Sequence, residues 1–145
     1  MPIQFFTHEI KFTLKQKSVL KPWIESVLKQ HQKKLSSLTY VFCSDDYLLE
    51  INQGFLQHDF YTDIITFDYS SKTEVESEIY ISIDRVKENA SVLKVPFEQE
   101  LHRVMVHGVL HLCGRKDKTK AQQADMRAEE DKQLKQLKSK KAKAK

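Results

Sequence analysis

A chain of 145 residues suits one domain with a single core that buries roughly 68–70% of the unfolded surface, so neither a disulfide nor a metal is needed merely to fold it. With 40% hydrophobic and 30% charged residues the composition is that of a soluble globular protein, and no window nears the ~20 apolar residues of a membrane helix. The net charge of +4 is local: seven of the 24 Lys and Arg fall in 132–145, which holds no acid, leaving 17 against 20 acidic residues before it, a net of −3.

A basic surface spread over the whole domain is therefore not expected, whereas the tail stands out as an electrostatic hook. The reading is one zinc-binding domain over 1–131 and a mobile Lys-rich tail over 132–145. Two cysteines, Cys43 and Cys113, are too few for a disulfide scaffold and read as buried thiols in a reducing compartment. The start MPIQFFTHEIKF lacks the charged head and apolar stretch of a signal peptide, so a cytoplasmic location and no membrane partner are expected.

In chain order, IQFF (3–6) and the alternating IKFTL (10–14) read as strands. Val19, Leu20, Trp23, Ile24, Val27 and Leu28 have helical spacing over 18–34, with Ser18 as N-cap. LTYVFC (38–43) reads as a buried strand, and Ser44-Asp45-Asp46 supplies caps for a helix over 46–56. IITFDY (64–69) and EIYISI (78–83) form an antiparallel pair across a polar loop. A helix from Asp84 to Leu93 stops before Pro96, a second runs from Phe97 to Leu112 and ends at Gly114, and a third from Lys120 continues into the tail. The fold class expected is α+β: a small mixed, mostly parallel sheet of about four strands with one antiparallel pair, packed against several helices.

The chemistry lies in HGVLHLCGRKD, residues 107–117. His107 and His111, four apart, project from one helix face about 6 Å apart along the axis. Gly114 lets the chain take a left-handed cap and turn back, so that Asp117 returns to the same face as a third ligand. The pair alone would be an ordinary feature of an apolar helix; the glycine turn and returning carboxylate make it a metal set. Two nitrogens and one oxygen leave one position open, as in catalytic zinc sites, and favour one zinc per chain, though nickel or copper would also bind such donors. The metalloprotease pattern H-E-x-x-H is matched only in part: Gly108 stands where the protease keeps its Glu base.

At these residues the chain resembles the YbeY-type rRNA maturation factors, whose signature has the form H-G-x-L-H-L-x-G-Y-D-H. Residues 107–114 match every fixed position, while Arg115, Lys116 and Asp117 replace Tyr, Asp and His. A second segment, approximately L-N-x-x-[YF]-R-x-x-D-x-x-T-D-V-L-S-F in the family, is kept at Asn52, Phe55, Asp59, Thr62, Asp63 and Phe67, and Glu78–Ser82 resembles the strand that follows. The resemblance spans roughly residues 35–130. It implies a single-strand-specific endoribonuclease of rRNA maturation and ribosome assembly, with rRNA and ribosomal subunits or assembly proteins as partners. His107 and His111 would act in catalysis through the metal, which would activate water or polarise the phosphate.

Two departures qualify that reading. The family's third histidine falls on Asp117, a competent ligand that cancels part of the ion's charge. The family's Arg falls on Leu56, which binds no phosphate; Arg103, one turn before His107, or Arg115 is the cation expected to compensate. Thr62, Asp63 and Thr66 are further candidates for substrate contact. The competing readings are a non-catalytic zinc-containing assembly factor and a metallohydrolase of another substrate class. His8, His31 and His58 are expected at the surface, and His102 off the ligand face.

Overall fold

The computed structural model describes residues 2–56 and 61–143, so His58 and Asp59 lie outside the described residues. Along the chain come β1 (Ile3–Thr7), α1 (Lys17–Gln30), β2 (Lys34–Cys43), α2 (Asp45–Phe55), β3 (Ile64–Asp68), β4 (Glu74–Ser82), α3 (Ile83–Leu93), α4 (Phe97–Leu112) and α5 (Lys120–Lys143). The strands form one sheet in the order β1-β2-β4-β3. β2 runs parallel to β1 and β4, and β3 returns antiparallel to β4 with Ile64 opposite Ile81 and Phe67 opposite Glu78. This is the α+β fold with a mixed, mostly parallel sheet that the sequence pattern indicates.

Alternation along the central strands assigns the two faces. Leu38, Tyr40 and Phe42 of β2 join Ile79 and Ile81 of β4 in the main core, closed by Trp23, Ile24 and Val27 of α1 and by Met105 and Val109 of α4. Cys43, Leu48, Ile51 and Ile65 form a smaller cluster that seats α2. α4 is apolar around most of its circumference, as befits a helix enclosed on several sides. Its fit to the sheet is tight at Gly108, where an added Cβ would lie 2.9 Å from Ile64 Cδ1 and 3.0 Å from Ile79 Cδ1. The Tyr40 hydroxyl adds a buried hydrogen bond to the Met105 carbonyl at 2.9 Å.

Three local expectations are corrected. Residues 10–14 pair with no strand: Phe12 instead sets its ring edge-on to Phe42 and Phe97, and Leu14 is buried, so their alternation records one-sided packing. α1 begins after Gln16, left-handed at φ 61°, and stops at Gln30, because 34–43 is already strand. The expected division at 131/132 is absent. α5 passes through it and buries Gln133 and Leu137, while Trp23 Nε1 donates to the Gln133 carbonyl at 2.9 Å. Met126, Glu130, Gln133 and Leu137 recur at helical spacing and form a narrow buried seam on an otherwise charged helix. Among the described residues no helix is long and apolar enough to cross a membrane.

Candidate metal centre

α4 brings His107 and His111 to the helix's open side near its C-terminus, and the turn that follows is built to bring the chain back. Gly114 adopts φ 96°, its N–H bonds the His111 carbonyl at 3.0 Å, and the Arg115 N–H bonds the Leu110 carbonyl at 3.1 Å. This pair of bonds is the Schellman closure, which needs a left-handed residue where glycine is unstrained. Asp117 then folds over the end of α4 against both imidazoles.

The three donors form a compact triangle. His107 Nε2 and His111 Nε2 lie 3.0 Å apart, and Asp117 Oδ2 is 3.3 Å from the first and 3.4 Å from the second. A tetrahedral ion with bonds of roughly 2.0–2.1 Å sets its donors about 3.3 Å apart, so the triangle has the dimensions of one face of such a shell. The three residues form the group of His and acid side chains able to hold a metal among the described residues. All are half-buried, which leaves a path for a further ligand.

Glu130 of α5 was not anticipated as part of the site. It is 4% exposed and its Oε2 accepts a hydrogen bond from the Nδ1–H of His107 at 2.5 Å. That bond fixes the tautomer that leaves Nε2 with a lone pair for a metal. Burial works against the protonated ring of His107, yet the Glu130 hydrogen bond and charge, with Asp117 and Asp63, hold its pKa above the ordinary imidazole range. Nothing in the sequence marks Glu130, since it lies 23 residues downstream on a different helix with no motif spacing between them.

Two adjoining clefts meet at His107 and Asp117. Thr62, Asp63 and Thr66 line one of them beside both histidines, so the structure gathers these three expected residues at the site. The other, of about 300 Å³, also holds Asp63 and adds Glu100, Arg103 and Glu130. Burial pushes the Asp63 carboxyl up against the lowering charge of His107, and burial followed by the charge of Asp63 raises Glu100.

Arg103 reaches the cleft wall, but its guanidinium is engaged: Nη1 donates to Glu130 at 2.9 Å and Nη2 to Asp131 at 2.6 Å. It holds the residue that holds His107. Arg115 stands apart from both clefts, donating from Nε to His31 Nε2 at 3.1 Å and from Nη2 to Glu129 at 3.3 Å. The expectation of a phosphate contact from Arg115 is not met by this geometry. His31 is accordingly a hydrogen-bonded, part-buried residue rather than a plain surface one. His102 is off the ligand face as expected, but it is a core residue, 3% exposed and edge-on to Trp23. Cys43 is buried and Cys113 only partly so, and neither is paired. Leu56 caps α2 with 41% exposure.

Comparison with known proteins gives a single answer. Residues 3–138 match the model of a family described as Endoribonuclease YbeY. A protein of that name from Flavobacterium psychrophilum is 52% identical over 130 residues, covering 90% of this chain and 93% of the relative. Another, from Cytophaga hutchinsonii, is 47% identical over 133 residues, covering 91% and 93%. A Thermotoga maritima protein solved in solution superposes with a TM-score of 0.64 at 25% identity, covering 98% of this chain and 93% of its own.

Proposed function

Because the chain belongs to the YbeY endoribonuclease family, we propose that it is itself a metal-dependent endoribonuclease that cuts single-stranded RNA during rRNA maturation in the cytoplasm, with ribosomal subunits or assembly proteins as partners. The observation that carries the metal-dependent part is the triangle of Nε2, Nε2 and Oδ2 atoms at 3.0, 3.3 and 3.4 Å. Its two nitrogens and one carboxylate oxygen suit zinc, bound through His107, His111 and Asp117 with one position open. When bound, the ion supplies Lewis acidity to a phosphoryl oxygen or to attacking water.

The protein's own residues supply order and exclusion. Glu130 keeps the Nδ1 proton on His107 and so aims Nε2 into the cleft, while Arg103 clamps Glu130. Asp63 lines both clefts, and its upward-shifted carboxyl suits it to carry a proton to or from the reacting phosphate. Thr62 and Thr66 offer hydroxyls along the same wall. Gly108 can serve no such purpose, since it faces Ile64 and Ile79 on the sheet and is buried away from the cleft.

Leu56 favours a second reading, a zinc-containing assembly factor that binds RNA without cutting it. A cleavage assay on single-stranded rRNA fragments, comparing the wild type with folded His107→Ala and His111→Ala variants, separates the two. Cleavage by the wild type alone, lost with the metal, supports the nuclease. Binding without cleavage by metal-loaded wild type supports the second reading, and equal cleavage by the variants overturns the metal mechanism.

A further inference from the structure

The metal cleft poses an electrostatic problem for a polyanion. Asp63, Glu100, Asp117 and Glu130 line it against two guanidiniums, Arg127 and Arg103, the second already shared between Glu130 and Asp131. Leu56 adds no cation. A strand that extends beyond the bound ion meets more acid than base there and gains from an attractive hold outside the cleft.

On the far side of Arg103 lies a second groove, of about 440 Å³, between the first half of α4 and the last half of α5. Arg103 lines both hollows, so they adjoin at its side chain on the α4–α5 seam. Lys135, Lys138 and Lys141 line the new groove, three residues apart. On a helix that places them along about 9 Å, beginning a little over one turn beyond Glu130.

The groove's own carboxylates do not cancel these charges. Asp131 accepts from Arg103 at 2.6 Å, and Glu98 faces Lys15 at 4.0 Å. Among the described residues none of the three lysines makes an ion pair. Before residue 132 the chain is net negative, so this is where an extended anion is drawn to the molecule.

We propose that the Lys135–Lys138–Lys141 groove is a subsite for the phosphates flanking the scissile bond, holding a single RNA strand that continues from the metal cleft past Arg103. The proposal rests on the endoribonuclease reading. Regularly spaced compact anions suit a row of ammonium groups better than the irregular carboxylates of an acidic protein, and the shared Arg103 wall ties the groove to the reacting centre.

The test uses the full-length protein and a triple variant, Lys135→Gln with Lys138→Gln and Lys141→Gln, all exposed or half-exposed positions. A control, Lys72→Gln with Lys87→Gln and Lys94→Gln, removes equal charge elsewhere. Affinity for a long single-stranded RNA is titrated against salt with chelator present, and cleavage of long and very short strands is followed with zinc. Loss of three phosphate contacts lowers the slope of log affinity against log salt by about 2. The expected result is that shift for the triple variant alone, with weaker cleavage of the long strand and unchanged cleavage of the shortest.

Equal slopes in the wild type and the triple variant would overturn the subsite, as would the same loss in the control. A triple variant that kept RNA affinity but lost polyglutamate would reassign the groove to an acidic protein. Wild type that binds with the predicted slope yet cuts nothing would sink the nuclease reading and leave the groove standing.

Discussion

Glu130, on α5, accepts the Nδ1 proton of His107, on α4, at 2.5 Å, and so commits the opposite ring nitrogen to His111 and Asp117. Outer carboxylates of this kind typically contribute 10–100-fold to metal affinity. Glu130→Gln is expected to weaken zinc binding about 10-fold and Glu130→Ala by nearer 100-fold, measured by competition with a chromophoric chelator. Unchanged affinity in the alanine variant would mean that the ring orients itself.

Asp117 closes the donor triangle on one helix turn. Asp117→Asn keeps the shape but removes the charge and is expected to lose more zinc than Asp117→His, which restores a strong donor. Elemental analysis after dialysis against a weak chelator, with folding checked by circular dichroism, ranks the two. The reverse order would place Asp117 outside the ligand set.

Gly108 occupies the place of a metalloprotease's glutamate, yet it packs on Ile64 and Ile79. Gly108→Glu is therefore expected to install no base at all. It drives a carboxylate into the sheet face and destabilises the fold by several kcal/mol. A soluble variant with wild-type melting would contradict the tight approach of α4.

His102 is buried beside Trp23, and burial, followed by the charge of Lys141, lowers its pKa from 6.5 to about 4. Between those values the unfolded chain takes a proton that the folded one refuses. Stability from this group is therefore intact at neutral pH and falls as pH drops through 6.5, by about 3 kcal/mol once pH 4 is passed. His102→Phe is expected to flatten that part of the acid limb in urea titrations; parallel limbs would show that the ring protonates within the fold.

α5 docks on the core through buried Leu137 and on α1 through the Trp23–Gln133 hydrogen bond. Leu137→Ala is expected to lose about 2–5 kcal/mol, and truncation after Asp131 at least as much. Chemical denaturation reads both. A truncated chain as stable as the full one would restore the division at residue 132.

The parts of the fold and site legible in the sequence are those that depend on near neighbours. His107, His111, Gly114 and Asp117 fall within eleven residues, and helix geometry with one left-handed turn is enough to bring them together. The helices from α2 onward followed from periodicity for the same reason, whereas β2 starts at Lys34 and β4 at Glu74, each four residues before its apolar run and, for β4, inside the expected loop. Glu130 was hidden because its partner lies across an antiparallel helix pair, where sequence spacing carries no information. The docking of 132–143 was hidden differently, since six lysines in that stretch obscure a seam of Gln133 and Leu137 that is two side chains wide. Residues 10–14 show the opposite error, for alternation at Ile10, Phe12 and Leu14 reports which way side chains face and says nothing of a backbone partner.

The antiparallel return of α5 gives assembly of this centre a direction in time. Both imidazoles are synthesised before Asp117 and Glu130, and the helix carrying Glu130 is anchored by contacts that reach Leu137. A nascent chain that has not yet delivered these last turns carries two unsecured histidines and no complete cage. Docking of α5 and readiness to hold the ion thus become one event.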